Sequence, residues 1–229
     1  MIKTDALSAT AWRFPLLLAL LMLMLVALRP TAFRGDSVEY TVGTVAIATH
    51  GTPDIRLDDI ARTRALLGDA YRAPFDELER GMRAGDANLY AAFTRGKHGD
   101  VYPVHFFGYS LLAAVPYKVL DLIGAPPFQA FVAGNLAALF VLGLALRHFF
   151  RSEARAWAGL ALFMLCGGML YWRWSSPECV SAALLLAGLL YFTANAPLRG
   201  AMLAGLASWQ NPTILFFFVA HRLKVLPTW

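Results

Sequence analysis

Apolar positions in this chain gather into long runs near both ends, separated by a polar stretch with a sparser, helix-like rhythm. The first run, Phe14–Leu28, is followed by polar sequence from Pro30 to Tyr102. Five further runs then follow, Val104–Ile123, Phe128–Leu146, Ala156–Tyr171, Cys179–Thr193 and Ala201–Ala220, each bounded by Pro, Gly or charge. A helix needs about 20 apolar residues to cross hydrocarbon, so the pattern predicts an all-α integral membrane protein with about 5–6 membrane helices. In the polar stretch, Leu57, Ile60, Leu67 and Tyr71 fall on one helical face among densely mixed charges. That spacing predicts short amphipathic helices on the membrane surface. Three parts follow: a cytoplasmic N-terminus with the first membrane helix over 1–29, an external loop over 30–103, and a membrane bundle over 104–229.

Composition reinforces this reading. The 229 residues are 58% hydrophobic and only 15% charged, with a mean hydropathy of +0.53, far from the roughly 25% charged residues of soluble domains. The net charge of +5 is placed mostly at the ends of apolar runs or among acids in the loop, as membrane flanks require, and shows no basic-aromatic nucleic-acid surface. Lys3 and Arg13 ahead of Phe14–Leu28 resemble the start of a secretory signal, but "RPTAFRG" lacks a small-x-small cleavage site; an uncleaved signal anchor is expected. Cys166 and Cys179 have neither disulfide-framework nor zinc spacing.

Topology turns on Val104–Ile123, which contains His105, Pro116, Lys118 and Asp121. If it is interfacial or re-entrant, the short Arg147, Arg151 and Arg155 loop lies with Lys3 and Arg13 in the cytoplasm. If it spans, that loop is outside and Arg222 and Lys224 come inside. The short three-arginine loop favours the interfacial reading, and both readings leave the 30–103 loop external.

Asp36 and Glu39, three apart, would share a face of a helix starting near Gly35. Paired carboxylates can hold a divalent metal ion or divide the work of base and helper, whereas Asp36 alone can also cap a helix. A second group, His98, Asp100, Tyr102 and His105, closes the loop in "RGKHGDVYPVHFFGYS", where solvated-turn and interface roles compete with phosphate binding. In "YWRWSSPECVSAALLLAGLLYF", Trp172 and Trp174 suit an interfacial belt, and Glu178 opens the next run, where it also complements a helix dipole. Gln210 and Asn211 before Pro212 predict a kink with buried polar partners. The chain has no GxxxxGK[ST], GxGxxG-helix, HExxH or GxSxG motif.

The order of "RGDSVEY", "YPVHFFGYSLLAAVPY", "RHFFRSEARAWAGLALFML" and "WRWSSPECVSAALLLAGLLYF" resembles the GT-C class of polytopic glycosyltransferases, the superfamily of protein mannosyltransferases and aminoarabinose transferases. The likeness covers the N-terminal portion of such proteins, which usually carry further membrane helices. It departs from their pattern at Ser37, where a second acid is common, at Phe106, where Pro often follows the His, and at Asn211, where Arg is frequent. The resemblance implies transfer of a sugar from a polyprenyl-phosphate donor in a bacterial inner (plasma) membrane to an acceptor at the periplasmic or external face. It implies Asp36 and Glu39 as catalytic carboxylates, Asp36 as general base or as a holder of a metal ion near the phosphate and Glu39 as its helper. Arg34, Tyr40, His105 and Glu178 would contact donor or phosphate. The alternative is a small non-enzymatic multi-pass protein whose external loop binds a partner.

Overall fold

The computed structural model describes residues 5–86, 89–90 and 92–212, with side chains from Trp12 onward except at 70 and 71. The described chain is predominantly helical. Its elements are α1 (Asp5–Leu28), α2 (Ser37–His50), α3 (Leu57–Leu67), a 3-10 turn (Gly68–Tyr71), α4 (Arg72–Ala84), the antiparallel strands β1 (Phe93–Arg95) and β2 (Val101–Pro103), α5 (Gly108–Leu122), α6 (Gln129–Phe150), α7 (Glu153–Phe163), a π-helical turn (Met164–Gly168), α8 (Met169–Tyr171), α9 (Glu178–Thr193) and α10 (Pro197–Gln210). They form two compact units. Of the described residues, one contains those of Thr31–Val132 and the turn Trp174–Pro177; the other contains those up to Pro30, Ala133–Arg173 and those from Glu178. The first unit therefore takes in sequence on both sides of the 103/104 boundary expected from hydropathy.

The loop unit is organised around α2. Its residues from Ser37 to Ala48 are all buried, although Ser37, Glu39, Thr41 and Thr44 are polar. The chain enters through Gly35 at φ +57, the Ser37 hydroxyl donates to the Arg34 carbonyl at 2.5 Å, and the Thr41 hydroxyl donates to the Ser37 carbonyl at 2.6 Å. It leaves through Gly51, whose φ of +80 lets its N–H return to the Ile47 carbonyl at 3.0 Å, a left-handed helix stop suited to glycine. One face packs Val38, Val42 and Ala46 with Ile55, Ile60, Phe75, Leu78, Phe93 and Val101. Leu57 and Leu67 are partly buried on this core, so three of the four positions read from the helical spacing serve it; the fourth, the side chain of Tyr71, lies outside the described residues.

α5 covers another side of α2. Gly43 makes this approach feasible, since a Cβ there would stand 3.0 Å from the Ser110 hydroxyl, which donates to the Tyr40 carbonyl at 3.3 Å. Tyr40 meets Tyr109 edge-on at 5.5 Å, and Tyr109 continues onto Phe131 at 5.6 Å. The turn Trp174–Pro177 belongs to this unit: Ala32 bridges Trp174 in parallel, and Ser175 N–H donates to the Ala32 carbonyl at 3.3 Å. With 15 residues, α5 is about 22 Å long, short of a full crossing of hydrocarbon. Its Asp121 accepts from Arg62 at 2.5 Å.

In the other unit, Phe14, Leu18 and Met22 form the buried stripe of α1. Phe14 packs on Trp157 at 5.1 Å between ring centres, and Leu18 occupies the space in front of Gly143 that a Cβ would claim. Helices α9 and α10 approach at Gly188 and Gly200, where a Cβ on Gly188 would lie 3.0 Å from the Gly200 carbonyl. Small residues permit such backbone contact in membrane bundles. Among the described residues, two helical stretches are long and apolar enough to cross a membrane: α6, at 22 residues or about 33 Å, and the 19 residues Glu153–Tyr171. The second contains the π-helical turn, with Gly167 at φ +124. Trp12–Leu28 and Glu178–Thr193 are shorter apolar helices. Among the described residues α10 ends at Gln210, immediately before Asn211 and Pro212, where the kink was expected; the rest of the Ala201–Ala220 run lies outside the described residues.

Candidate functional site

The two acids of "RGDSVEY" enter different environments. Asp36 occupies the N-cap position of α2 with φ −76 and ψ 24, is exposed, and makes no side-chain cap hydrogen bond. Glu39, one turn inside the helix, is 1% exposed. Asp36 at the cap and Glu39 at the third position of α2 still interact through their charges, but only Glu39 is buried.

Glu39 is held by a residue 66 positions away. The His105 backbone N–H donates to Glu39 Oε1 at 2.6 Å, and His105 Nδ1 lies 2.6 Å from Oε2. Both carboxyl oxygens are thus engaged by one residue, which fixes the imidazole plane. The His105 side chain is 51% exposed, so an anchored base supports a ring that reaches solvent. Its ring centre lies 6.2 Å from that of buried Tyr40. Burial raises the Glu39 pKa above the ordinary 4.5, and the neighbouring negative charge of Asp36 adds to the rise; the His105 bonds oppose it without cancelling it.

Arg34 is exposed one residue before Gly35. Glu178 is exposed in the first turn of α9 and belongs to the other unit. His98 and Asp100 are exposed around the β1–β2 turn, where Gly96 N–H donates to the Asp100 carbonyl at 2.7 Å and Arg95 holds the Gly99 carbonyl at 2.8 Å. Thus Arg34, Asp36, Glu39, Tyr40 and His105 share the loop unit, with direct hydrogen bonding between Glu39 and His105. Among the described residues no group of three or more His, Cys, Asp or Glu side chains converges to hold a metal ion.

A polar cluster not anticipated from the sequence lies at the other end of α2. His50 Nε2 is 3.0 Å from Asp59 Oδ2, which also accepts the Arg56 backbone N–H at 2.8 Å. His50 Nδ1 lies 2.8 Å from the Thr52 hydroxyl, which donates to Asp54. The available signal was Asp59 three residues beyond Arg56, the third position of α3, where an acid reaches back to the cap. No protein-family model, curated protein or solved structure matches the chain.

Proposed function

We propose that this chain is a GT-C-like membrane glycosyltransferase that moves a sugar from a polyprenyl-phosphate carrier to an acceptor hydroxyl at the external membrane face. In this reading α1, α6, the α7–α8 segment, α9 and α10 lie in the membrane, α5 lies at its interface, and the α2–α4 region is external. Exposed Asp36, following the first apolar helix in the same unit as an anchored, half-exposed His105, is the observation that carries the proposal.

Asp36 accepts the acceptor hydroxyl proton as that oxygen attacks the anomeric carbon. The carbon–oxygen bond to phosphate breaks, its electron pair leaves with polyprenyl phosphate, and the anomeric configuration inverts. Arg34 and protonated His105 neutralise the phosphate by charge-assisted hydrogen bonds, and Tyr40 packs behind the imidazole. Glu39, buried against His105, acts as a positioning residue instead of contacting the sugar.

Asp36→Asn should abolish transfer from a labelled polyprenyl-phosphate sugar while leaving membrane insertion intact. Its exposed carboxylate makes no cap bond whose loss would disturb folding. Full transfer by this variant would remove Asp36 from the chemistry and favour a partner-binding loop.

A further inference from the structure

We propose that the membrane-bundle unit carries a second site, for the headgroup of an anionic phospholipid, where the C-termini of α6 and α9 meet the start of α10. An open cavity of about 430 Å³ is lined there by Phe14, Leu144, Arg147, His148, Arg151 and Tyr191. A neighbouring cavity, also about 430 Å³, shares His148 and adds Asn195 and Arg199. Tyr191 joins the two: its ring centre is 5.1 Å from that of His148, and the Arg199 guanidinium lies 5.8 Å from it. Among the described residues, neither Arg147, Arg151 nor Arg199 has a carboxylate within ion-pair distance.

Cations near the last turn of α6 would favour its dipole without any ligand. That explanation does not extend to Arg199, which lies in the first turn of α10, where a positive charge opposes the dipole and an anion is favoured. Nor does it explain why Arg151 occupies a helix stop at φ +51, a left-handed conformation strained for an L side chain and usual for glycine. An arginine at that position presents a guanidinium to the cavity where glycine would close the helix more easily. A lipid source is favoured over free phosphate because Phe14 and Leu144 line the cavity, while Leu16, Leu17 and Leu20 on the same helix as Phe14 are 58%, 46% and 53% exposed. Phosphate would meet the arginines and the acyl chains the exposed apolar positions.

The inference rests on the membrane placement proposed above, not on sugar transfer. The full chain, reconstituted in phosphatidylcholine with and without phosphatidylglycerol, should retain phosphatidylglycerol selectively, read by native mass spectrometry. Arg147→Gln and Arg151→Gly should each weaken retention roughly fivefold, the effect of one cation beside an anionic headgroup. Arg155→Gln, a charge loss in the first turn of α7 outside both cavities, should leave retention unchanged. Arg151→Gly should also unfold at the same or higher temperature, so a binding loss from misfolding is distinguished by stability falling with it. Equal loss in Arg155→Gln, no preference for phosphatidylglycerol, or displacement by inorganic phosphate would overturn the proposal. Retained lipid selectivity in a chain without transferase activity would sink the transferase reading alone, and failure to insert into vesicles would sink both.

Discussion

The two ends of α2 use the same chemistry in opposite ways. Each pairs a carboxylate at most 2% exposed with an imidazole, Glu39 with His105 and Asp59 with His50. At the C-terminal end the histidine is 12% exposed, both ring nitrogens contact side-chain oxygens, and the carboxylate also caps α3. At the N-terminal end the histidine is 51% exposed, and exposed Arg34 and Asp36 belong to the same unit. A buried carboxylate–imidazole pair therefore does not mark a site by itself. Access to the ring distinguishes an internal clamp from a group able to meet a ligand.

The largest stability effect should come from breaking the closed end. Asp59→Ala removes the Nε2 partner of His50 and the acceptor of the Arg56 N–H together, leaving two part-buried groups unsatisfied. We expect a loss of roughly 3 kcal/mol in denaturant unfolding, with transfer per folded molecule retained. A loss below about 1 kcal/mol would contradict the assigned clamp.

At the open end the balance should reverse, with a large effect on activity and a modest one on stability. Glu39→Gln preserves shape and an acceptor for the His105 N–H but removes the charge that orients the ring. Transfer should fall roughly a hundredfold through displacement of His105, detected as a changed pH profile as well as a lower rate. The stability difference has a definite sign. Because the folded-state pKa of Glu39 is raised, its stabilising contribution is complete below the ordinary 4.5 and is lost as pH rises through the higher folded value. Relative to Glu39→Gln, the unaltered protein should therefore lose stability on moving upward from about pH 4.5. Since Asp36 contributes to the raised value, Asp36→Asn should move that loss to lower pH.

What the sequence made legible divides along the same line. The α3 packing positions followed from periodicity because one face is apolar and the other charged. α2 was harder to read, since "SVEYTVGTVAIA" is buried on all sides, and Ser37, Glu39 and Thr41 are satisfied by partners that a helical repeat cannot identify. Asp36 and Glu39 were found as acids, but their spacing did not reveal that one is exposed at the cap and the other buried against His105. Glu39 and His105 were both candidates, yet their contact spans 66 positions and comes from the packing of α5 on α2. His50 and Asp59 went unread because the turn between α2 and α3, closed by Gly51, brings them together. Of the apolar runs marked by hydropathy, two among the described residues form helices long enough to cross a membrane, and α5, in the run from Val104, packs with the loop unit.

The smallest predicted effect concerns Asp54, and it tests whether the ends of α2 respond to pH in opposite directions. The Thr52 hydroxyl donates to Asp54, Arg56 Nε donates to it at 3.0 Å, and together these hold its pKa below the ordinary 3.8 despite the opposing effect of partial burial. Asp54 thus contributes stability above 3.8 that is lost as pH falls through its lower folded value, the opposite sign to Glu39. Its side chain is 22% exposed and its Arg56 partner 57% exposed, so screening limits the contribution to about 0.5 kcal/mol. Asp54→Asn should flatten the acid limb of the stability curve by that amount while leaving the decline above pH 4.5 intact. If both limbs changed together, the two ends would titrate as one network, and the separation between clamp and open site would fail.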